Sequence, residues 1–151
     1  MVAEIRVASI ADLELLLGLM RQMQEDDPWS ESFDESTVHA SLAGLLANVV
    51  YGVAYIAEEA GAAVGYVIVC FDYSLEYRGK GAWVDELFVA ESHRGKGIAT
   101  QLMDVAEKAA AKHGAKYLHL EVSHGNPAIE LYRRRGFVDH QRYLMTKRIT
   151  E

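Results

Sequence analysis

The chain has 151 residues, of which half are apolar and a quarter are charged, with 12 glycines and only 2 prolines. This composition excludes a disordered, collagenous or repeat protein and predicts one folded domain spanning residues 1–151. The formal net charge of −7 argues against a nucleic-acid-binding surface and is better suited to a cationic partner.

Cysteine content and hydropathy indicate the compartment. The one cysteine, Cys70, cannot form an internal disulfide. The first residues include an acid at Glu4 and lack the basic start and apolar run of a signal peptide. Apolar stretches at 43–57 and 60–71 are too short to span a membrane. We therefore expect a cytoplasmic protein that does not act at a membrane.

Hydrophobic periodicity and turn residues predict the element order β α α β β β α β α β. After a strand at 5–8, Ser9 caps a helix that ends before Pro28, and Asp34 caps a second helix. The later elements are strands at 49–58, 64–72 and 81–89, a helix at 98–112, a strand at 117–122, a helix at 127–135 and a closing strand region at 137–149. Hairpins followed by a βαβ unit predict an α/β fold with a mixed, mostly antiparallel central sheet flanked by helices.

A glycine-rich loop connects the third of these central strands to the long helix. It reads Arg94-Gly95-Lys96-Gly97 and leads directly into the helix. The first amides of a helix have no intrahelical acceptor, and glycines let a phosphate approach them closely. The loop therefore predicts a pyrophosphate site, with Arg94 and Lys96 adding positive charge.

Two other phosphate-binding motifs fit less well. A Rossmann dinucleotide site would use Gly95 and Gly97, with Glu121 as the distant acid, but Thr100 replaces the third glycine and antiparallel hairpins precede the loop. A P-loop is excluded because no Gly-Lys-Ser/Thr follows at the required spacing.

The segment Arg94-Gly-Lys-Gly-Ile-Ala99 matches the pattern Arg/Gln-x-x-Gly-x-Gly/Ala. About 30 residues later, Asn126-Pro-Ala-Ile-Glu-Leu-Tyr132-Arg-Arg-Arg-Gly-Phe137 matches Asn-x-x-Ala-x-x-Leu-Tyr-x-x-x-Gly-Phe. With both motifs and the element order, the chain resembles the GNAT superfamily of acetyl-CoA-dependent N-acetyltransferases over nearly its whole length.

The resemblance implies acetyl-CoA as the acetyl donor and coenzyme A as the product. The pantetheine arm would pair with the backbone of Leu87, Phe88 and Val89, at a splay between two strands. The resemblance also places Asn126 near the cofactor. The pyrophosphate would lie on the loop and first helical turn, formed by Arg94, Gly95, Lys96, Gly97, Ile98, Ala99 and Thr100.

Acetylation needs a base for the amine and an acid for the departing thiolate. Tyr132 holds the superfamily's tyrosine position and is expected to be the general acid, in contact with the cofactor. Asp85 and Glu86 are both candidates for the base. Adjacent strand residues point to opposite faces, so only one of them is expected to face the thioester. Asp85 is preferred because it fills the superfamily's acidic position.

The acceptor is expected to bind between the two N-terminal helices and at the loop after the second central strand. Candidate contacts are Asp26, Asp27, Trp29 and Tyr73, because acids and aromatics suit a cationic amine. A merely solvated acidic loop is the competing interpretation. The histidines lack metal-ligand spacing, so no metal is expected.

The sequence thus predicts transfer of acetyl to a primary amine, with a small molecule favoured, by direct attack in a ternary complex. A non-catalytic acyl-CoA-binding or regulatory module is one alternative. Acetylation of a protein N-terminus or lysine is another. A homodimer is left open.

Overall fold

The computed structural model describes residues 2–149. The chain divides into two compact units, a larger one that ends at Glu121 and a smaller one that begins at Val122. No helix between residues 2 and 149 is long and apolar enough to cross a membrane.

The larger unit is built on a sheet whose strand order is β1-β2-β3-β4-β5 within the described part of the chain. All neighbouring strands are antiparallel except β4 and β5, which are parallel. This confirms the predicted mixed, mostly antiparallel sheet. The strands are β1 (Glu4–Val7), β2 (Gly52–Glu59), β3 (Ala62–Ser74), β4 (Gly79–Val89) and β5 (Leu118–Leu120).

Three helices accompany this sheet in the larger unit as described: α1 (Leu13–Asp26), α2 (Glu35–Ala47) and α3 (Ile98–His113). The predicted caps are present. Ser9 and Asp12 form a capping box around a short 3₁₀ turn that leads into α1. The Asp34 carboxylate accepts a hydrogen bond from the Thr37 amide and so begins α2.

The two faces of the sheet are covered by different helices. Buried residues of α1 and α2 form one core cluster with alternate residues of β2 and β3, including Ile56, Tyr66 and Ile68. The intervening β3 residues point to the other face, where the ring of Phe71 stacks on His113 of α3 with centroids 3.7 Å apart. Strand alternation therefore puts α1 and α2 on one face and α3 on the other.

β4 contains a bulge opposite β3. Ile68 pairs with Glu86, whereas the next β3 residue, Val69, pairs with Val84. Asp85 is therefore the extra residue, and it has no partner in the β3–β4 register. A bulge resets the alternation of side chains along the strand, which matters for the site described below.

The smaller unit contains α4 (Ala128–Arg134), close to the predicted helix at 127–135. The predicted closing strand at 137–149 is wrong, because the structure has no strand there. An Asx turn, in which the Gln141 amide donates to the Asp139 carboxylate at 2.7 Å, interrupts the extended run, and Gln141 has a φ of +53°. The β-branched and aromatic composition of this segment suggested a strand that these turn residues break.

Candidate active site

Asp85 and Glu86 line the same cavity. The cavity has a volume of about 290 Å³ and lies between α1, α2 and the β3–β4 pair. The expectation that the two carboxylates point to opposite faces is wrong, because the bulge at Asp85 breaks the two-residue alternation on which it depended. The structure thus brings two carboxylates into one site.

Glu86 is almost fully buried, with an exposed fraction of 7%. Its carboxylate accepts a hydrogen bond of 2.8 Å from the hydroxyl of Tyr66, which is itself fully buried, and another from the side chain of Trp29. Burial raises the pKa of Glu86 from 4.5 to about 7, although these hydrogen bonds oppose the rise. A carboxyl with this pKa can accept and release a proton near neutral pH.

Asp85 lies at the mouth of the cavity, where its side chain is exposed to solvent on one side. Partial burial on the other side raises the pKa of its carboxyl. Its charge also contributes to the raised pKa of Glu86, since a second negative charge disfavours ionisation of its neighbour. The pair is therefore suited to a cationic ligand, which would relieve this repulsion.

The walls of the cavity are mainly apolar. Among the predicted acceptor contacts, Trp29 lines it and packs on Phe33, with ring centroids 5.4 Å apart. Two hydroxyl residues of α2, Thr37 and Ser41, are exposed and stand at its edge. The rest of the wall consists of Met20, Val38, Leu42, Leu45 and Ile68.

The other predicted acceptor contacts lie elsewhere. Asp26, at the end of α1, forms an ion pair of 2.5 Å with Arg94. Tyr73 is 74% exposed near the end of β3 and approaches Gly79. Asp27 follows α1 directly and is not among the cavity-lining residues. Only Trp29 among the four predicted contacts therefore reaches this cavity.

The glycine loop has the conformation that its sequence predicts. Gly95 and Gly97 have φ values of +75° and +82°, which disfavour side chains, and open space surrounds the position of a Cβ at each. α3 begins directly after Gly97, and its first internal hydrogen bond is donated by the Gln101 amide. The preceding amides, from Ile98 to Thr100, therefore have no acceptor within the helix and are free to face an anion.

The basic side chains of this loop pair with acids on neighbouring elements. Lys96 and His93 both approach the Glu59 carboxylate, at 3.2 Å each. Arg94 donates to the Val89 carbonyl at 2.8 Å, in addition to its ion pair with Asp26. The cations expected beside a pyrophosphate are thus already held in place around the loop.

The pairing between β4 and β5 ends before the stretch of β4 where the resemblance predicts a splay. Their parallel pairing runs from Ala82 to Val84 of β4, and β4 then continues to Val89 with no β5 partner in the described residues. Leu87 and Phe88 pair with β3 on their other side. This stretch of β4 is therefore paired on one side only, within the described residues.

The second motif lies in the smaller unit. The Asn126 side chain accepts a hydrogen bond of 2.9 Å from the Ala128 amide, which forms an Asx turn just before α4. Tyr132 is a buried residue of α4, and its ring packs against Phe137 with centroids 5.9 Å apart. The motif thus builds its own helix and turn, which explains part of its spacing.

Tyr66 is the main site residue that sequence reasoning missed. It stands in the apolar run Val64-Gly-Tyr-Val-Ile-Val69, where a tyrosine is indistinguishable from core packing. One signal could nevertheless have identified it. The run is apolar enough to be fully buried, and a buried tyrosine hydroxyl needs a hydrogen-bond acceptor nearby. Glu86, on the neighbouring strand, is that acceptor.

Comparisons with known proteins agree with this fold. The sequence model of the Acetyltransferase (GNAT) family matches residues 17–137. The chain therefore belongs to the GNAT acetyltransferase family. A stretch of 55 residues is 49% identical to streptothricin acetyltransferase of Streptomyces lavendulae. That stretch spans 36% of this chain and 29% of the length of that relative.

Two solved structures share the fold. One is a predicted acetyltransferase of Clostridium acetobutylicum with acetyl-CoA, at 22% identity and a TM-score of 0.82, with 96% of each chain covered. The other is an aminoglycoside N-acetyltransferase in complex with CoA, at 19% identity and a TM-score of 0.80, with 97% of this chain and 94% of that chain covered. At these identities the likeness concerns the fold.

The raised pKa of Glu86 predicts an unusual dependence of stability on pH. Between pH 4.5 and about 7 the folded protein retains a proton that the unfolded chain releases, so this group makes the protein less stable as the pH rises through that window. Glu86→Gln removes the effect while preserving an acceptor for Tyr66. We expect the variant to gain stability relative to the wild type from pH 4.5 to 7, measured by urea unfolding at pH 4, 6 and 8. A difference that does not change with pH would contradict the assignment.

Proposed function

We propose that this protein is an acetyl-CoA-dependent N-acetyltransferase that transfers acetyl to a primary amine of a small molecule, by direct attack in a ternary complex. The observation that carries the proposal is the position of Glu86 and Asp85 in one cavity, on the strand that leads into the glycine loop. Family membership and relatives named as acetyltransferases of streptothricin and aminoglycosides support an amine acceptor.

The residues around the glycine loop fit coenzyme A. The amides of Ile98, Ala99 and Thr100 would hold the pyrophosphate, and the two glycines leave the approach to them open. The backbone of Leu87, Phe88 and Val89, which has no β5 partner in the described residues, would pair with the pantetheine arm, and Arg94 would give up or share its hydrogen bond to the Val89 carbonyl. Bound acetyl-CoA supplies an activated acetyl thioester.

Glu86 is proposed to be the general base. The bound ammonium first loses one proton to this carboxylate, directly or through water, which frees the nitrogen lone pair that attacks the thioester. A second proton leaves the nitrogen as the amide forms, and it matches the proton that the departing thiolate takes up. Asp85, at the mouth, attracts the cation. This assignment departs from the sequence preference for Asp85, because Glu86 is the carboxylate that hydrogen bonds from Tyr66 and Trp29 hold in position.

The C–S bond then breaks, and the departing thiolate needs a proton. Tyr132 is proposed to supply it, on the basis of its place in the second motif. A covalent acetyl-cysteine route is disfavoured, because burial raises the pKa of Cys70 to about 12 and keeps its sulfur in the unreactive thiol form.

The glycine loop is tested by Gly97→Val. A valine at a φ of +82° strains the loop and puts a branched side chain into the open space beside the start of α3, so acetyl-CoA should no longer raise the melting temperature. Gly114→Val, at a φ of +90° at the other end of α3, is the matched control and should retain the ligand-induced shift. Equal acetyl-CoA affinity of Gly97→Val and wild type, measured by calorimetry, would refute the phosphate site.

The two carboxylates are tested by isosteric amide variants in a thiol-release assay. Glu86→Gln should lower kcat roughly 10²–10⁴-fold, the usual contribution of a positioned base. Asp85→Asn should act mainly on the KM for the amine, because it removes charge at the mouth. If Asp85→Asn lowered kcat strongly and Glu86→Gln lowered it little, Asp85 rather than Glu86 would be the base.

The acid is tested by Tyr132→Phe, which keeps the ring beside Phe137 and removes only the hydroxyl. We expect kcat to fall roughly 10²–10⁴-fold with acetyl-CoA affinity unchanged. Near-normal turnover would show that solvent protonates the thiolate instead.

A further inference from the structure

We infer that the acceptor cavity selects primary amines carried on an unbranched apolar arm, that is, alkylammonium compounds, over amines on polyhydroxylated skeletons. The inference rests on the proposed function and adds the class of acceptor to it. It follows from an asymmetry of the cavity: charge is concentrated on one strand, and the remaining walls are apolar.

The charged side comprises Asp85 and Glu86, adjacent on β4. Both carboxylates are partly or wholly removed from water, and their mutual repulsion is relieved by one cation placed between them. An ammonium group fits this side because it is compact and donates hydrogen bonds in several directions. The amino group of the acceptor is therefore expected to lie against β4.

The opposite walls come from α1, α2 and β3. Met20, Leu42, Leu45 and Ile68 present only carbon and sulfur atoms to the cavity. The Trp29 indole N–H is already used by Glu86, so its ring is the surface left for a ligand. Thr37 hydrogen-bonds to Asp34 through its hydroxyl. Hydrogen-bonding partners for a ligand hydroxyl on these walls are therefore confined to Thr37 and Ser41 at the edge of the cavity.

The discrimination follows from the cost of burying polar groups. A hydroxyl that enters such a cavity loses its water and gains no partner, whereas a methylene gains from leaving water. The volume of about 290 Å³ limits the arm to a short chain. Skeletons with several hydroxyls would have to keep them outside the mouth, which is formed by Thr37, Ser41 and Asp85.

The experiment is a thiol-release assay with propylamine, butylamine and pentylamine, and with 4-amino-1-butanol, which matches pentylamine in length but ends in a hydroxyl. We expect kcat/KM to rise roughly fourfold for each added methylene. We expect kcat/KM for 4-amino-1-butanol to be at least roughly tenfold lower than kcat/KM for pentylamine. Equal kcat/KM values for all four amines, with measurable turnover, would overturn the inference and leave the proposed function standing.

Two variants of α2 test whether the preference for longer alkyl arms arises in the cavity. Ser41→Phe places a ring at the edge of the cavity and should reduce kcat/KM more for pentylamine than for propylamine. Ala40→Phe, at the adjacent exposed position outside the cavity, should leave both unchanged. An unchanged acetyl-CoA affinity in both variants shows that they fold. Identical behaviour of the two variants would overturn the inference, whereas no thiol release with any amine would overturn the proposed function itself.

Discussion

The β-bulge at Asp85 is the constraint on which the site depends. In a regular strand, Asp85 and Glu86 would lie on opposite faces, one against α1 and α2 and the other against α3. The extra residue resets the register, so Glu86 pairs with Ile68 and both carboxylates line one cavity. The same strand then runs on to the glycine loop, so only a few residues of backbone separate the two carboxylates from that loop.

Keeping Glu86 in that position is costly, and the surrounding residues offset the cost. Burial disfavours its charge, and Tyr66 and Trp29 each give a hydrogen bond in return. Tyr66 also packs in the core cluster, with its ring centroid 6.0 Å from that of Phe88. Burying Glu86 therefore lowers the stability of the fold and gives its carboxyl a pKa near neutral pH. Perturbed pKa values of this kind are common in active sites.

Much of the fold was predictable because its signals are local. The capping box at Ser9, the cap at Asp34 and the glycines flanking α3 each act within a few residues. The bulge was not predictable from alternation alone, since it depends on the register with β3. The pairing of Asp26 with Arg94 joins residues 68 positions apart. Only the fold reveals this partner of Asp26, whose predicted contact with the acceptor stays a prediction.

The central claim is that Glu86, held by Tyr66, is the group whose ionisation controls the reaction. The most direct measurement is the pH dependence of kcat/KM for one amine, in the wild type and in Tyr66→Phe. We expect kcat/KM of the wild type to fall as the pH drops below about 7. In the variant this fall should begin at a higher pH, because removing a hydrogen bond to the carboxylate raises the pKa of Glu86 further. Profiles with the same acidic limb in both proteins would contradict the account.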